Sequence, residues 1–333
     1  MIPSVDPPRV VVWQLTPPRA PGGSLRPAAR DPLELTARER RQVVRALARS
    51  RARPPVVLAV GDPAERPDFD AIVEQLVDRG FPTVIAPGAS VYLSSRAIRH
   101  WADMGVAGVA LKLDGATASA HDRFAGAPGT YAATLVLARA TVARGMRLTV
   151  RSMATRFSAP ELPGLSVMVA KLSATTWVVQ FPIPRGRLAR SLPMGAPRQA
   201  RVVAWLAACA AQAPFEIMAL GAPHLIRLTH PKPDGQTVPA IRDGQGLVYI
   251  DHRGQVCPSA DLPLSAGSAV QRSALSLYRD APLFRSLRDP ARLGGRCGTC
   301  VWHAVCGGSR ARAYAATGSA WAEDPHCLAQ WPS

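Results

Sequence analysis

The chain has 333 residues, of which 47% are hydrophobic and 19% are charged. This composition excludes an intrinsically disordered protein, and the length allows one large domain with a smaller appendage. The net charge of +17 would suit a nucleic-acid-binding protein, but nearly all the cations are scattered arginines, so we do not expect nucleic acid as a partner.

The first half of the chain alternates between short apolar runs and amphipathic segments, a pattern typical of the α/β class. The predicted strands cover residues 9–15, 56–60, 83–86, 106–113, 147–153 and 176–181. The predicted helices cover residues 33–52, 68–79, 94–104, 131–144 and 162–172. Alternation at this spacing predicts parallel strands joined by right-handed crossovers, and six units rather than eight predict a partial barrel.

Some element boundaries carry more specific signals. Thr36 and Glu39 are spaced as a capping box at the start of the first predicted helix, and Ser94 is placed to cap a later one. Residues 246–258 predict a β-hairpin whose turn lies at residues 251–254. No stretch reaches the ~20 apolar residues of a membrane span, and no secretory signal is recognisable, so we expect a cytoplasmic protein without a membrane partner.

Four cysteines near the C-terminus carry the strongest chemical signal. Cys297, Cys300, Cys306 and Cys327 are spaced C-x2-C-x5-C-x20-C. Four thiolates form the donor set of one tetrahedral zinc ion or of one [4Fe–4S] cluster. Spacing alone leaves both metals open.

Other polar residues give weaker signals. Asp114, His121 and Asp122 follow a predicted strand, where barrels place their sites, so they are candidates for proton transfer, but a capping Asp and a loop-tethering His explain them equally well. Cys209 and Cys257 are best interpreted as small apolar residues. His224 and Arg227 lie in the segment before the hairpin, and the sequence predicts no function for them.

The cysteine-rich segment resembles the SPASM-type extension of radical SAM enzymes, in the group that includes enzymes of alternative haem and haem d1 synthesis. The resemblance lies in CGTCVWHAVCGGSRARAYAATG at residues 297–318 and DPHC at residues 324–327. In that family such cysteines hold an auxiliary [4Fe–4S] cluster. The resemblance therefore implies Cys297, Cys300, Cys306 and Cys327 as ligands of one such cluster, with zinc as the alternative metal.

The N-terminal half is similar to the radical SAM barrel in four segments, at residues 10–16, 57–69, 113–129 and 184–187. The resemblance implies a partial (β/α)6 TIM-like barrel with a small C-terminal iron–sulfur domain. It divides the chain into a barrel at residues 1–190, a bridging helical segment at residues 191–245 and a SPASM-type domain at residues 246–333.

Two departures from the family pattern affect the catalytic centre. The family places C-x3-C-x2-C directly after the first strand, whereas residues 17–26 read PPRAPGGSLR and no Cys, His, Asp or Glu lies between Thr16 and Asp31. The GGE segment that holds SAM in the family is reduced to Val60, Gly61 and Asp62. Gly61 and Asp62 are therefore a degenerate SAM site, SAM binding is doubtful, and the sequence leaves open whether the chain is an enzyme.

The leading hypothesis is a pseudoenzyme of this family that binds one auxiliary [4Fe–4S] cluster. It would act as a binding or partner subunit in tetrapyrrole or peptide modification, with an intact radical SAM relative or a small precursor peptide as its partner. A second hypothesis keeps an enzyme with a non-standard SAM or small-molecule site at the barrel mouth. A third is a zinc-stabilised nucleic-acid-binding protein.

Overall fold

A computed structural model describes residues 6–17, 31–63, 66–88, 90–184, 191–230 and 241–327, without the side chain of Tyr92. Within these ranges a nine-stranded sheet curls into a half-barrel, in the order β7-β6-β5-β4-β3-β2-β1-β8-β9. All neighbouring strands are parallel except β8 and β9, which are antiparallel. The strands are β1 Val10–Gln14, β2 Val56–Val60, β3 Thr83–Pro87, β4 Gly108–Lys112, β5 Arg147–Met153, β6 Thr176–Gln180, β7 Glu216–Leu220, β8 Leu247–Ile250 and β9 Val256–Cys257.

Helices pack on the outer face of the sheet and form the main core with it. In β1, β2 and β6 the residues alternate between buried and half-buried. The buried set, including Trp13, Leu58 and Trp177, joins helix residues such as Leu47 and Ile72 in one apolar cluster. The α-helices are α1 Ala37–Ala48, α2 Phe69–Asp78, α3 Ser95–Asp103, α4 Ala118–Ala125, α5 Thr130–Ala143, α6 Leu162–Lys171, α7 Ala196–Ala210, α8 Leu225–Thr229, α9 Ala274–Asp280, α10 Pro282–Arg288, α11 Gly295–Thr299 and α12 Arg310–Thr317.

The predicted partial barrel is confirmed, and all six predicted strands are present. The capping box is also confirmed: Glu39 N–H donates to Thr36 Oγ1, and Thr36 N–H donates to the Glu39 carboxylate. Ser94 does precede α3, but its side chain makes no capping hydrogen bond, so the predicted cap is wrong. The extended backbone of Ser94 alone marks the start of that helix.

The sequence did not predict α4 or β7. The eight residues of α4 are mostly small or polar, so they lack an apolar period. The five residues of β7 contain one β-branched side chain and follow a proline-containing turn, which is a weak strand signal. The sheet therefore extends beyond the six predicted units at this edge.

The predicted hairpin is confirmed as β8 and β9, with a turn in which Gly254 N–H donates to Asp251 O (2.9 Å). Its first strand also pairs in parallel with β1, so that Trp13 lies opposite Ile250. The segment that leads to the cysteines thus continues the barrel sheet on the side of β1.

Two predicted features lie largely outside the described residues. Only Pro17 of the loop at residues 17–26 is described, and of the segment at residues 184–187 only Pro184 is described. In the part of the chain that the structure covers, no helix combines the length and the apolar character required to cross a bilayer.

Candidate functional site

The four cysteines predicted as metal ligands line one cavity, here called the cysteine cavity. Cys297 and Cys306 are buried, while Cys300 and Cys327 are half-buried, and none of the four is in a disulfide. The structure therefore brings together side chains that are up to thirty residues apart in sequence. Their role as ligands stays a prediction.

Two consecutive glycines shape the wall of this cavity. Gly307 and Gly308 both have left-handed backbone conformations, with φ of +59° and +67°, which other residues adopt only with strain. A Cβ on Gly308 would lie 3.1 Å from Cys297 Sγ and 2.8 Å from the Asp324 Cβ. Because these two residues have no side chain, the chain can turn from Cys306 into α12 close to Cys297 and Asp324.

N–H groups of the protein surround the cysteine sulfurs. Cys297 Sγ accepts from Asp324 N–H (3.5 Å) and from Arg310 Nη2 (3.6 Å). Cys300 Sγ accepts from Trp302 N–H (3.4 Å), and Arg227 Nη1 lies 3.8 Å from Cys327 Sγ. Hydrogen bonds to sulfur are a feature of iron–sulfur sites, where they affect the reduction potential.

Burial raises the pKa of the Cys306 thiol to about 11, although Gly308 N–H and the charges of Arg242 and Arg227 act in the opposite direction. A thiol of this kind is neutral near pH 7. A bound metal deprotonates its cysteine ligands outright, so metal binding here would release protons.

A buried carboxylate, Asp324, connects the parts of the site. Its Oδ2 accepts from Ser309 N–H (2.7 Å), and the same oxygen lies 3.3 Å from both Arg312 Nη1 and His224 Nε2. Burial alone would raise the pKa of Asp324, but the contact with His224 and the charge of Arg312 hold it well below its usual range. This network joins the bridging segment to α12 and to the last predicted ligand, and sequence reasoning missed it.

The three weak catalytic candidates lie around the end of β4. Asp114 N–H donates to His121 Nδ1 (3.0 Å), and Asp114 Oδ1 accepts from Met153 N–H (2.7 Å). Burial raises the pKa of Asp114, and burial lowers the pKa of His121 to about 4. Asp122 accepts from the backbone N–H groups of Gly129 and Tyr131, both at 2.7 Å, which is the geometry of a residue that stabilises the start of α5.

Asp114 also lines a second cavity, together with Arg123, Phe124, Phe157 and Ser158. The His121 ring stays out of this lining, and its Nε2 is buried without a hydrogen-bond partner among the described residues. The three candidates therefore have different surroundings, and Asp114 is the one that faces a cavity.

At the degenerate SAM site, the backbone of Gly61 is engaged by the protein itself. Gly61 N–H donates to Thr16 Oγ1 (2.9 Å), and Gly61 O accepts from Gly88 N–H (2.9 Å). These contacts link the ends of β1, β2 and β3.

The two remaining cysteines lie away from the cysteine cavity. Cys257 is buried in β9 opposite Tyr249, and Cys209 is half-buried in α7, where burial raises its pKa. Neither side chain lines the cysteine cavity.

Comparison with known proteins gives one consistent group of relatives. No family model matches the chain. An AdoMet-dependent heme synthase of Methanosarcina barkeri is 28% identical, with 98% of each chain covered. A pre-heme d1 synthase of Dinoroseobacter shibae is 28% identical, over 89% of this chain and 79% of the relative. Streptococcus suis SuiB bound to the precursor peptide SuiA shares the fold, with a TM-score of 0.73 at 15% identity over 97% of this chain and 76% of SuiB.

Proposed function

This chain is a radical SAM family protein related to haem synthesis enzymes, and from that premise we propose that it binds one auxiliary [4Fe–4S] cluster but performs no radical SAM catalysis. The ligands are Cys297, Cys300, Cys306 and Cys327. The protein acts as a binding or partner subunit in the modification of a tetrapyrrole or a peptide.

One observation carries the cluster proposal: four thiols from distant parts of the tail line a single cavity. A zinc ion would require all four sulfurs at about 2.3 Å from one point. The described residues contain no group of three or more Cys, His, Asp or Glu side chains arranged to hold a single metal ion. A cubane brings its own iron and sulfide atoms, so sulfurs spread around a cavity favour the cluster.

When bound, the cluster can accept and donate single electrons, and its binding free energy stabilises the loop-rich tail. The chain itself provides the ligands, the N–H donors to their sulfurs, and the Asp324 network that fixes the last ligand. Because four cysteines would occupy every iron, no coordination position remains for a substrate.

Two observations support the absence of radical chemistry. The loop after β1 lacks the three cysteines that bind the radical-generating cluster in the family. In addition, the Gly61 carbonyl, part of the segment that holds SAM in the family, already accepts from Gly88 N–H, while Thr16 occupies the Gly61 amide.

The proposed partners follow from the relatives. The two heme-related enzymes suggest a tetrapyrrole substrate, and SuiB bound to SuiA suggests a precursor peptide. Loss of the radical centre makes an intact relative the natural provider of the chemistry, with this chain as the subunit that binds.

The test is metal analysis of the full chain after anaerobic purification and reconstitution with iron and sulfide. We expect about four irons and four sulfides per chain. One zinc without sulfide would contradict the cluster. Calorimetric titration with SAM is expected to show no binding, and a second cluster whose spectrum changes with SAM would contradict the non-catalytic role.

One observation favours a second candidate function, an enzyme with a small-molecule site at the barrel mouth. Asp114 is buried, its pKa is raised by burial, and it lines a cavity, which is the setting of a general acid or base. A small molecule that binds the wild type but not Asp114→Asn would support this candidate.

A further inference from the structure

Arg310, the first residue of α12, is a buried cation in contact with Cys297, which lines the cysteine cavity. Its side chain is 5% exposed. Nη1 donates to the carbonyl oxygens of Ala320 (2.9 Å) and Ala322 (2.6 Å), and Nε donates to Gly308 O (3.3 Å). The remaining nitrogen, Nη2, donates to Cys297 Sγ at 3.6 Å.

This guanidinium has no carboxylate within ion-pair distance among the described residues, and its partners are three carbonyl oxygens and one sulfur. The neighbouring Arg312 is equally buried but lies 3.3 Å from the Asp324 carboxylate. An unpaired buried charge is costly, and natural proteins pair it or place it against a metal centre. A neutral Cys297 thiol cannot supply the missing charge, whereas a metal-bound thiolate can.

The same arrangement recurs at other ligands of the cavity. Arg227 lies 3.8 Å from Cys327 Sγ, with its guanidinium 6.0 Å from the centre of the Trp302 ring. Arg242 donates to Ala304 O (2.7 Å) and lies close enough for its charge to act on Cys306. The positive charges of these arginines therefore favour a bound group with a net negative charge.

A [4Fe–4S] core with four thiolates is a dianion when oxidised and a trianion when reduced. A buried cation with an N–H···S contact stabilises the trianion more than the dianion, because the interaction grows with the charge of the cluster. Reduction adds one electron from an external one-electron reductant to the iron atoms of the core, and no covalent bond forms or breaks.

We propose that Arg310 is the counter-charge of this metal centre, and that its contact with Cys297 makes the bound cluster easier to reduce. Arg310 is thus a positioning residue that acts through Cys297. The inference rests on the proposed cluster, and it adds that the cluster is kept ready to take up an electron as well as to stabilise the tail.

The experiment is a redox titration of the reconstituted full chain with dithionite, followed by electron paramagnetic resonance. In Arg310→Gln we expect the preference for the reduced form to fall at least about tenfold, a shift of about 59 mV to more negative potential for one electron. Arg310→Lys keeps the charge and is expected to restore part of the shift.

The matched control is Arg296→Gln, one residue before Cys297. Arg296 also lines the cysteine cavity, but its side chain is 58% exposed and bound to Glu323. Because solvent and Glu323 screen its charge, its loss is expected to move the potential much less. Equal shifts in Arg296→Gln and Arg310→Gln, or none in either, would overturn the role of Arg310.

If Arg310→Gln does not fold, Arg227→Gln provides the second test, with an expected shift of the same sign and smaller size, because Arg227 is half-buried and 3.8 Å from its sulfur. An unchanged potential in this variant would overturn the inference. If the chain binds iron and sulfide but its reduction potential is unchanged in these arginine variants, only the inference is refuted. If it binds zinc without sulfide, the cluster proposal and the inference are both refuted.

Discussion

The cysteine cavity in the tail and the end of β1 and β2 at the barrel mouth are the two places where this family is expected to handle metal or SAM. In the tail, four thiols line a shared cavity. The buried cation of Arg310 contacts one of them, Cys297, and lacks a carboxylate partner among the described residues. At the barrel mouth, Thr16 and Gly88 already satisfy the amide and the carbonyl of Gly61. The two regions therefore differ in what their own structure leaves unpaired: the tail has a buried cation without a carboxylate partner among the described residues, whereas the backbone of Gly61 is hydrogen-bonded within the protein.

The largest expected effect comes from removing a predicted ligand. Cys306→Ser replaces a buried thiol with a harder donor, so the chain should lose most of its bound iron, and the tail should become sensitive to protease because binding energy no longer stabilises it. Iron and sulfide analysis with limited proteolysis would measure this. Cys209→Ser, away from the cavity, is the control, and equal iron loss in both variants would contradict the assignment of Cys306.

The next largest effect is expected at Asp324. Asp324→Asn leaves Arg312 buried without its partner, which typically costs about 3–5 kcal/mol, measurable by urea denaturation. Because the pKa of Asp324 is lowered in the folded state, its stabilisation is present above about pH 4 and is lost as the pH falls further. The variant should lose less stability on acidification than the wild type, and an unchanged acid dependence would contradict the network.

A smaller effect is expected at Gly298, between two predicted ligands. A Cβ at this position would lie 2.1 Å from Leu293 O, so Gly298→Ala must displace the backbone that carries Cys297 and Cys300, at a cost of about 1–3 kcal/mol. Reduced iron loading together with a lower melting temperature would be the readout. Gly195→Ala is the matched control, since the nearest atom to its added Cβ is 3.9 Å away.

The smallest effect is expected at the barrel mouth. Thr16→Val removes the acceptor of Gly61 N–H, which should lower the free energy of unfolding by about 0.5–1.5 kcal/mol without changing the iron content. Denaturation and metal analysis of one preparation would test both statements. A drop in iron would mean that the two regions are coupled, and the comparison between them would fail.

The barrel could be predicted from sequence because its signals are local. The apolar runs gave the six predicted strands, and Thr36 with Glu39 located the start of α1 within one turn. The hairpin at β8 and β9 was predicted in the same way, although its parallel pairing with β1 was not, since that contact joins residues more than two hundred positions apart. Failures occurred where local signals are weak, as in α4 and β7.

At the site, sequence reasoning identified four cysteines that the structure places around one cavity, but it did not show which of the arginines near the C-terminus are buried beside them. The contacts of Arg310 with Cys297, of Arg227 with Cys327 and of His224 with Asp324 depend on how distant segments fold together. No spacing rule identifies such pairs. The chain contains many scattered arginines, and the sequence does not distinguish the few buried ones from the exposed ones.

The pairing of β8 with β1 has a practical consequence for dissecting the molecule. A chain shortened before residue 246 would lose β8, which pairs with β1. The five residues of β1, three of them valine, would then form an exposed sheet edge, and such edges can pair with strands of other molecules. Such a fragment should aggregate when expressed alone. The tail therefore also covers the β1 edge of the barrel sheet, and removing the tail leaves that edge unpaired on the side of β8.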